Sequence, residues 1–309
     1  MLRLIYFVVF YLLLLFVCLL SGILLRRYQV FPTNAAHVLN LFVFYISLPA
    51  LTLRYIPFIE FKTETLLLTA VSWIVFGGAA LFLGMLYRLG MFNRSTFGAM
   101  LLVGGLGNTA FVGFPLVEAL YGKEGLEKAI VLDLSGSFVV VSIMGIAVAA
   151  WFSSGSPNWS LIGQRIVRFP PFVVFILCLL LNLFNVNFPP YVLDALERIG
   201  STVSILSLVS VGLQLRFELA SGDLKALVIC LGYKLLLAPA VIYVLYVLWL
   251  GQSSLVSKVS VIEAATPPMV TAAILASDYD LNPTLANLAV GVGIIAAIGT
   301  VLLWHTVLG

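Results

Sequence analysis

Apolar residues run along this chain in long blocks, each close to the roughly 20 residues that a helix needs to cross a bilayer. Short clusters of charged and turn-forming residues separate them. The blocks cover residues 4–26, 34–54, 64–90, 96–121, 125–152, 164–185, 190–216, 222–250, 254–278 and 281–305. This pattern predicts an all-α polytopic membrane protein of about ten spanning helices joined by short connections. The first block, from Leu4 to about Leu25, exceeds the ~7–15 residues of a signal-peptide core and lacks a small-x-small cleavage site, so it reads as a retained helix.

The two halves echo each other. Cys18-Leu19-Leu20 recurs as Cys178-Leu179-Leu180, Phe31-Pro32 as Phe188-Pro189, and Leu51-Thr52-Leu53-Arg54 as Leu213-Gln214-Leu215-Arg216. The separations are 160, 157 and 162 positions, in order along the chain. Ten helices then divide into a first repeat, residues 1–152, a linker over 153–163 that begins Ser153-Ser154-Gly155-Ser156-Pro157-Asn158, and a second repeat, 164–309. An odd number of helices per repeat forces the copies into opposite orientations across the bilayer.

Inside two of the blocks the helical pattern is broken. The fourth carries Gly104-Gly105-Leu106-Gly107-Asn108-Thr109-Ala110-Phe111-Val112-Gly113-Phe114-Pro115, and the ninth carries Glu263-Ala264-Ala265-Thr266-Pro267-Pro268. Pro268 has no N–H, and Pro267 is pushed from helical geometry by the proline after it. Irregular backbone at membrane depth survives only where protein or a water-filled cavity satisfies it, and paired interruptions in matching positions point to a transporter's binding site. The half-helix that follows each break offers unpaired N–H groups to an anion, and the freed carbonyls suit a cation. The competing reading is a pair of simple kinks, since Gly and Pro are common in membrane helices.

Composition narrows the function. Hydrophobic residues make up 62% of the 309 and charged residues 9%, with a mean hydropathy of +1.15, which argues against a soluble enzyme or a nucleic-acid binder and makes lipid the expected surround. The net charge of +3 is spread in ones and twos. Cys18, Cys178 and Cys230 lie in apolar runs without C-x-x-C spacing and read as packing residues, and His37 and His305 are too far apart to suggest a metal site. Gly105-x-Gly107-x-x-Ala110 and Gly291-x-Gly293-x-x-Ala296 fit a loose dinucleotide pattern but follow no strand, and no P-loop, zinc helix or nucleophile elbow is present. These absences argue against a hydrolase or an ATP-driven pump, and a non-enzymatic role is the expectation. The positive-inside rule weighs Arg26, Arg27, Arg88, Arg94, Arg165, Arg168, Arg216 and Lys225 against Arg3, Arg54, Lys62, Lys123, Lys128 and Lys258. It favours a cytoplasmic middle loop with both termini outside the cytoplasm.

Three ionisable residues fall well inside spans: Asp133, Lys234 and Glu263. An unpaired charge at mid-membrane costs at least ~2.5–3.5 kcal/mol on insertion scales, so each should face a cavity or a partner. One reading makes Lys234 the structural ion-pair partner of Asp133 or Glu263. The other makes Glu263 a cation ligand together with Asn108, Thr109, opened carbonyls and Asp133, binding Na+ or taking up H+. Lys234 then neutralises a substrate carboxylate or substitutes for a coupling ion.

The chain resembles the auxin efflux carrier family, whose bacterial members include proteins described as malate or malonate permeases. The resemblance lies in Gly107-Asn108-Thr109-Ala110-Phe111-Val112-Gly113-Phe114-Pro115-Leu116, followed by Ala119-Leu120-Tyr121-Gly122-Lys123-Glu124-Gly125. It lies also in Ala264-Ala265-Thr266-Pro267-Pro268-Met269-Val270, followed by Ala276-Ser277-Asp278-Tyr279. Thr266-Pro267 departs from the apolar pair more usual in that family. The resemblance implies a fold shared with bile-acid/sodium symporters: inverted five-helix repeats, broken helices 4 and 9 crossing near the midplane, helices 1, 2, 6 and 7 as scaffold, and helices 3–5 and 8–10 as a core that moves like an elevator. It implies a homodimer through the scaffold, and it tilts the coupling ion toward Na+. The resulting expectation is a secondary transporter of a small organic anion, a dicarboxylate or auxin-like acid, in the cell membrane. Its substrate site comprises Asn108, Thr109, Gly113, Pro115, Thr266, Pro267, Pro268 and Met269. Asn108, Thr109, Asp133 and Glu263 are the candidate Na+ ligands, with Lys234 as charge partner. The rival classes are a ligand sensor that does not turn over and a passive channel.

Overall fold

The computed structural model describes residues 2–59, 62–153, 163–164, 167, 170–214, 224–251 and 254–309. Residues 154–162 of the expected linker, the Leu215-Arg216 end of the repeat, and Arg165 and Arg168 of the charge count lie outside the described residues. Those described are helical throughout, apart from short turns and a single two-residue bridge.

In chain order the helices are α1 (Leu2–Arg27), α2 (Ala35–Phe58), α3 (Thr63–Arg88), α4 (Arg94–Gly105), α5 (Thr109–Phe152), α6 (Pro170–Leu183), α7 (Pro190–Gln214), α8 (Leu224–Trp249), α9 (Leu255–Ala264), α10 (Val270–Asp278) and α11 (Pro283–Leu308). Among the described residues six are long and apolar enough to span: α2, α3, α5, α7, α8 and α11. The expected fourth and ninth blocks each divide into two short helices. At 1.5 Å per residue the 12 residues of α4 reach only ~18 Å, well short of the ~30 Å hydrocarbon core. The boundary expected near residues 122–124 falls within the α5 run at Gly122, whose φ of 67° is outside helical geometry and open to glycine, so two helices meet there.

Side-chain oxygens set several starts. Asn93 Oδ1 accepts the Thr96 N–H at 2.7 Å to begin α4, and Asn282 Oδ1 accepts the Leu285 N–H at 3.2 Å to begin α11, with Pro283 at its first position. Asn282 Nδ2 donates to Thr96 Oγ1 at 3.1 Å, which ties the two caps together.

Two groups of helices pack among themselves. In one, α1 lies along the second part of α7, and α2 packs on both α6 and α7. The first of these contacts is backbone on backbone: a Cβ at Gly212 would sit 2.3 Å from Leu19 O and 2.9 Å from Gly22 Cα. Small residues permit this approach in membranes, where dispersion contacts rather than water exclusion hold helices together. In the other group α3 contacts α4, α5, α8 and α9, and α11 contacts α4, α8, α9 and α10. The groups meet where α5 touches α1, α2 and α7. Glu197 of α7 stands at one edge of that seam, 3.3 Å from Arg54 Nε of α2 and 2.6 Å from Lys123 Nζ of α5.

Candidate functional site at the helix crossing

The two breaks meet. Asn108 N–H donates to Pro267 O at 2.8 Å and Met269 N–H donates to Leu106 O at 2.9 Å, which places Gly107 opposite Pro268 in an antiparallel bridge. Neither proline has an N–H, so the donors come from their flanks. Four carbonyl and amide groups that the broken ladders release are thereby satisfied across the crossing, as the hydrocarbon interior demands.

Glycines make the crossing compact. A Cβ at Gly107 would lie 2.7 Å from Thr266 Oγ1 and 2.9 Å from Lys234 Nζ; one at Gly105 would lie 2.8 Å from Phe76; one at Gly293 would lie 2.6 Å from Pro268 Cδ. Three of the four glycines in the dinucleotide-like patterns, Gly105, Gly107 and Gly293, are thus packing positions pressed against the crossing or its neighbours.

Two cavities flank the bridge. The outer one, about 50 Å³, is walled by Asn108, Ala110 and Phe111 at the start of α5, by Met269, Val270 and Thr271 at the start of α10, and by Asp133, Phe138, Val141, Phe44 and Leu48. Two helix N-termini therefore converge on one space. Asn108 Oδ1 accepts the Phe111 N–H at 3.2 Å, while its Nδ2 is buried and without a partner. Asp133 Oδ1 accepts the Thr109 hydroxyl at 2.5 Å. Phe44 and Phe111 face each other with centroids 5.9 Å apart.

The inner cavity, about 10 Å³, is lined by Gly107, Thr109, Ser72, Ser137, Lys234 and Glu263 with apolar neighbours. Glu263 is 1% exposed, and neither of its carboxylate oxygens has a hydrogen-bond partner. The carboxylate rests on bare backbone: a Cβ at Gly113 would be 2.2 Å from Oε2 and 2.6 Å from Oε1. Thr266 Oγ1 donates to Glu263 O at 2.7 Å. Lys234 Nζ, also 1% exposed, donates to Ala264 O at 2.6 Å.

The expected site residues therefore divide. Asn108, Asp133 and Met269 line the outer cavity; Thr109, Glu263 and Lys234 line the inner one. Gly113 lies beneath Glu263, Thr266 closes the end of α9 by donating to Glu263 O, Pro267 O accepts the Asn108 N–H across the crossing, Pro268 packs on Gly293, and Pro115 is buried in the first turn of the α-helical part of α5. The four candidate Na+ ligands do not close a shell. Asn108 spends its oxygen on Phe111, Thr109 gives its hydroxyl proton to Asp133, Asp133 faces the other cavity, and Glu263 shares its small space with an ammonium. Divided between two cavities, one of which already holds an ammonium, these residues as arranged do not surround one Na+ position. The structural ion pair does not form either: among the described residues no carboxylate oxygen lies within 4.0 Å of Lys234 Nζ.

The sequence pattern missed Phe44, Leu48, Ser72 and Ser137. Thr65, Thr69 and Ser72 recur at helical spacing on α3, and Thr69 and Ser72 pair with Ser135 and Ser137 of α5 at 2.6 and 2.8 Å. A hydroxyl stripe on an otherwise apolar helix was the available signal. Beyond this stripe an open vestibule of about 490 Å³ is lined by Arg54, Lys62, Glu64, Thr65, Glu127 and Lys128 with apolar neighbours.

A family model described as membrane transport protein matches residues 7–157 and 160–305. An uncharacterized transporter of Methanocaldococcus jannaschii is 26% identical over 297 residues, covering 94% of this chain and 95% of its own length. Another from Methanothermobacter thermautotrophicus is 27% identical over 301 residues, with the same 94% and 95% coverage.

Proposed function

Because the chain belongs to the auxin efflux carrier family of membrane transport proteins, we propose that this multi-pass membrane protein is a secondary transporter carrying a small organic anion through the helix crossing. The observation that carries the reading is the convergence of the α5 and α10 N-termini on one cavity beside the unpartnered Asn108 amide. Helix N-termini present N–H groups and positive dipole ends to an anion, and a buried amide with no acceptor is a donor awaiting one. Phe44, Leu48 and Met269 supply apolar walls for the body of the acid. The cavity is far smaller than the ~300 Å³ of a typical ligand pocket, so substrate entry requires the walls contributed by α2 to move relative to α5 and α10. An elevator in which α1, α2, α6 and α7 form the scaffold, with the other helices as core, supplies that movement. The packing of each group within itself supports it. A homodimer through the scaffold belongs to the same reading and rests on family resemblance, whereas placement of the termini outside the cytoplasm rests on the distribution of Lys and Arg.

Charge balance favours the proton as the coupling ion. With all three groups ionised, Asp133 and Glu263 against Lys234 would leave one net negative charge buried at the crossing. A bound anion adds another, in a medium where uncompensated charge costs several kcal/mol. A proton on Asp133 relieves this and converts a repelling carboxylate into a donor. With no shell for Na+, H+ is the ion the geometry supports. Binding of the anion is therefore strongest at low pH and weakens as pH rises and Asp133 gives up its proton. Asp133→Asn is expected to bind malonate with most of that pH dependence removed and to lose H+-driven accumulation; titrations above neutral pH, where malonate is a dianion throughout, check it. Unchanged pH dependence in the variant would contradict the role given to Asp133.

A further inference from the structure

We infer that Lys234 is a tethered cation occupying the place where a free coupling ion would sit, so that the crossing works without Na+. The inference rests on the crossing being the transport site. Helix α9 ends at Ala264, where the last carbonyls and the negative end of the helix dipole attract positive charge. A broken membrane helix commonly offers such an end to a metal cation. Here the ammonium takes it: Nζ reaches Ala264 O at 2.6 Å from the neighbouring helix α8.

Three local features hold Lys234 there. It stands in a π-helical stretch, Tyr233–Leu237, whose wider turn alters the direction of the side chains that follow. Its head lies over Gly107, where any Cβ would come within 2.9 Å of Nζ and 3.2 Å of Cε, so the missing side chain is the seat of the ammonium. Around that seat are Thr109, Glu263 and the hydroxyls of Ser72 and Ser137, oxygens that a free cation would also choose.

The other ionisable groups near Lys234 are few. Glu263 shares its cavity, and Asp133 lies one hydrogen bond beyond Thr109. Cys230, one turn earlier on α8, points its thiol at Met100 O, 3.7 Å away. An ammonium on a four-carbon stem cannot leave for bulk solvent, so this positive charge travels with the core in every cycle. A site whose cation is covalently attached has no use for a Na+ gradient.

The inference predicts a gain of function. Thermal unfolding of the purified full-length protein is followed in NaCl and in KCl of equal strength. The wild type is expected to show the same Tm in both. Lys234→Ala vacates the seat and exposes Ala264 O and Glu263 to a free ion, so its Tm is expected to rise by about 5 °C in Na+ over K+. Lys234→Gln, which fills the volume without the charge, should respond in the same direction, and Lys234→Arg should stay indifferent. Stabilisation of the wild type by Na+ would overturn the inference, as would indifference of both neutral variants. If neither neutral variant folds in K+, recovery of folded protein in Na+ supports it and failure in both salts contradicts it. A wild type that moves no organic anion retires the transport reading and leaves this ion test standing.

Discussion

Gly113→Ala is expected to reduce transport on the order of 10²-fold while the helices remain assembled. The reason is local. The added methyl group would lie 2.2 and 2.6 Å from the two oxygens of Glu263, far inside contact distance. Because Glu263 is sealed within a cavity of about 10 Å³, its carboxylate has little space to retreat into, and any retreat disturbs Lys234, Thr109 or the crossing itself. Overpacking of this kind costs roughly 1–3 kcal/mol, a tolerable loss for a large helical bundle but a severe one for a site set by fractions of an ångström. A double-mutant cycle isolates the contact. In a Glu263→Ala background the methyl group meets open space, so Gly113→Ala should then have almost no effect on Tm. Additive losses would show that the close approach of Gly113 and Glu263 is not what the substitution disturbs.

Gly212→Val is expected to have the larger effect on folding. A Cβ at position 212 meets main-chain atoms, 2.3 Å from Leu19 O, 2.9 Å from Gly22 Cα and 3.1 Å from Ile23 N, and no rotamer change relieves such a clash. Helices α1 and α7 must separate. Their dispersion contacts weaken steeply over the first ångström of gap, and lipid on every side offers α1 no hydrophobic penalty for leaving. Loss of the monodisperse peak in size-exclusion chromatography, or a Tm lowered by 10 °C or so, is the expected result. A Gly232→Val control, at a glycine whose Cβ would meet nothing within 4 Å, should behave as wild type in the same assay. Equal behaviour of the two variants would contradict the tight packing of α1 on α7.

Much of this architecture was legible in the sequence because membrane depth leaves few ways to satisfy a backbone. Gly107-Asn108 and Pro267-Pro268 could not continue a helix, and their presence inside apolar blocks located both breaks. The same reasoning singled out Asp133, Lys234 and Glu263, since charges in lipid are too costly to be incidental. The division of those residues between two cavities was not legible. It depends on which face of each half-helix the crossing turns outward, and that is fixed by contacts such as Gly293 with Pro268 and Gly113 with Glu263, between residues far apart in the chain. The sharing of the candidate Na+ ligands between those cavities was not legible either: the Asn108 oxygen caps Phe111 and the Thr109 hydroxyl turns to Asp133. The boundary expected between the fourth and fifth blocks was legible as well: the run Thr109–Phe152 leaves helical geometry at Gly122, where two helices meet.

The central claim is that an organic anion binds at the crossing and is driven by protons. Proteoliposomes carrying the wild type or Asn108→Ala, free of Na+ and given an inwardly directed pH gradient, can be loaded with radiolabelled malonate or indole-3-acetate. The wild type is expected to accumulate one of these acids above its equilibrium level, a protonophore to abolish the accumulation, and Asn108→Ala to lose it while migrating as wild type on size exclusion. Accumulation that requires Na+, or that survives undiminished in Asn108→Ala, would contradict the account.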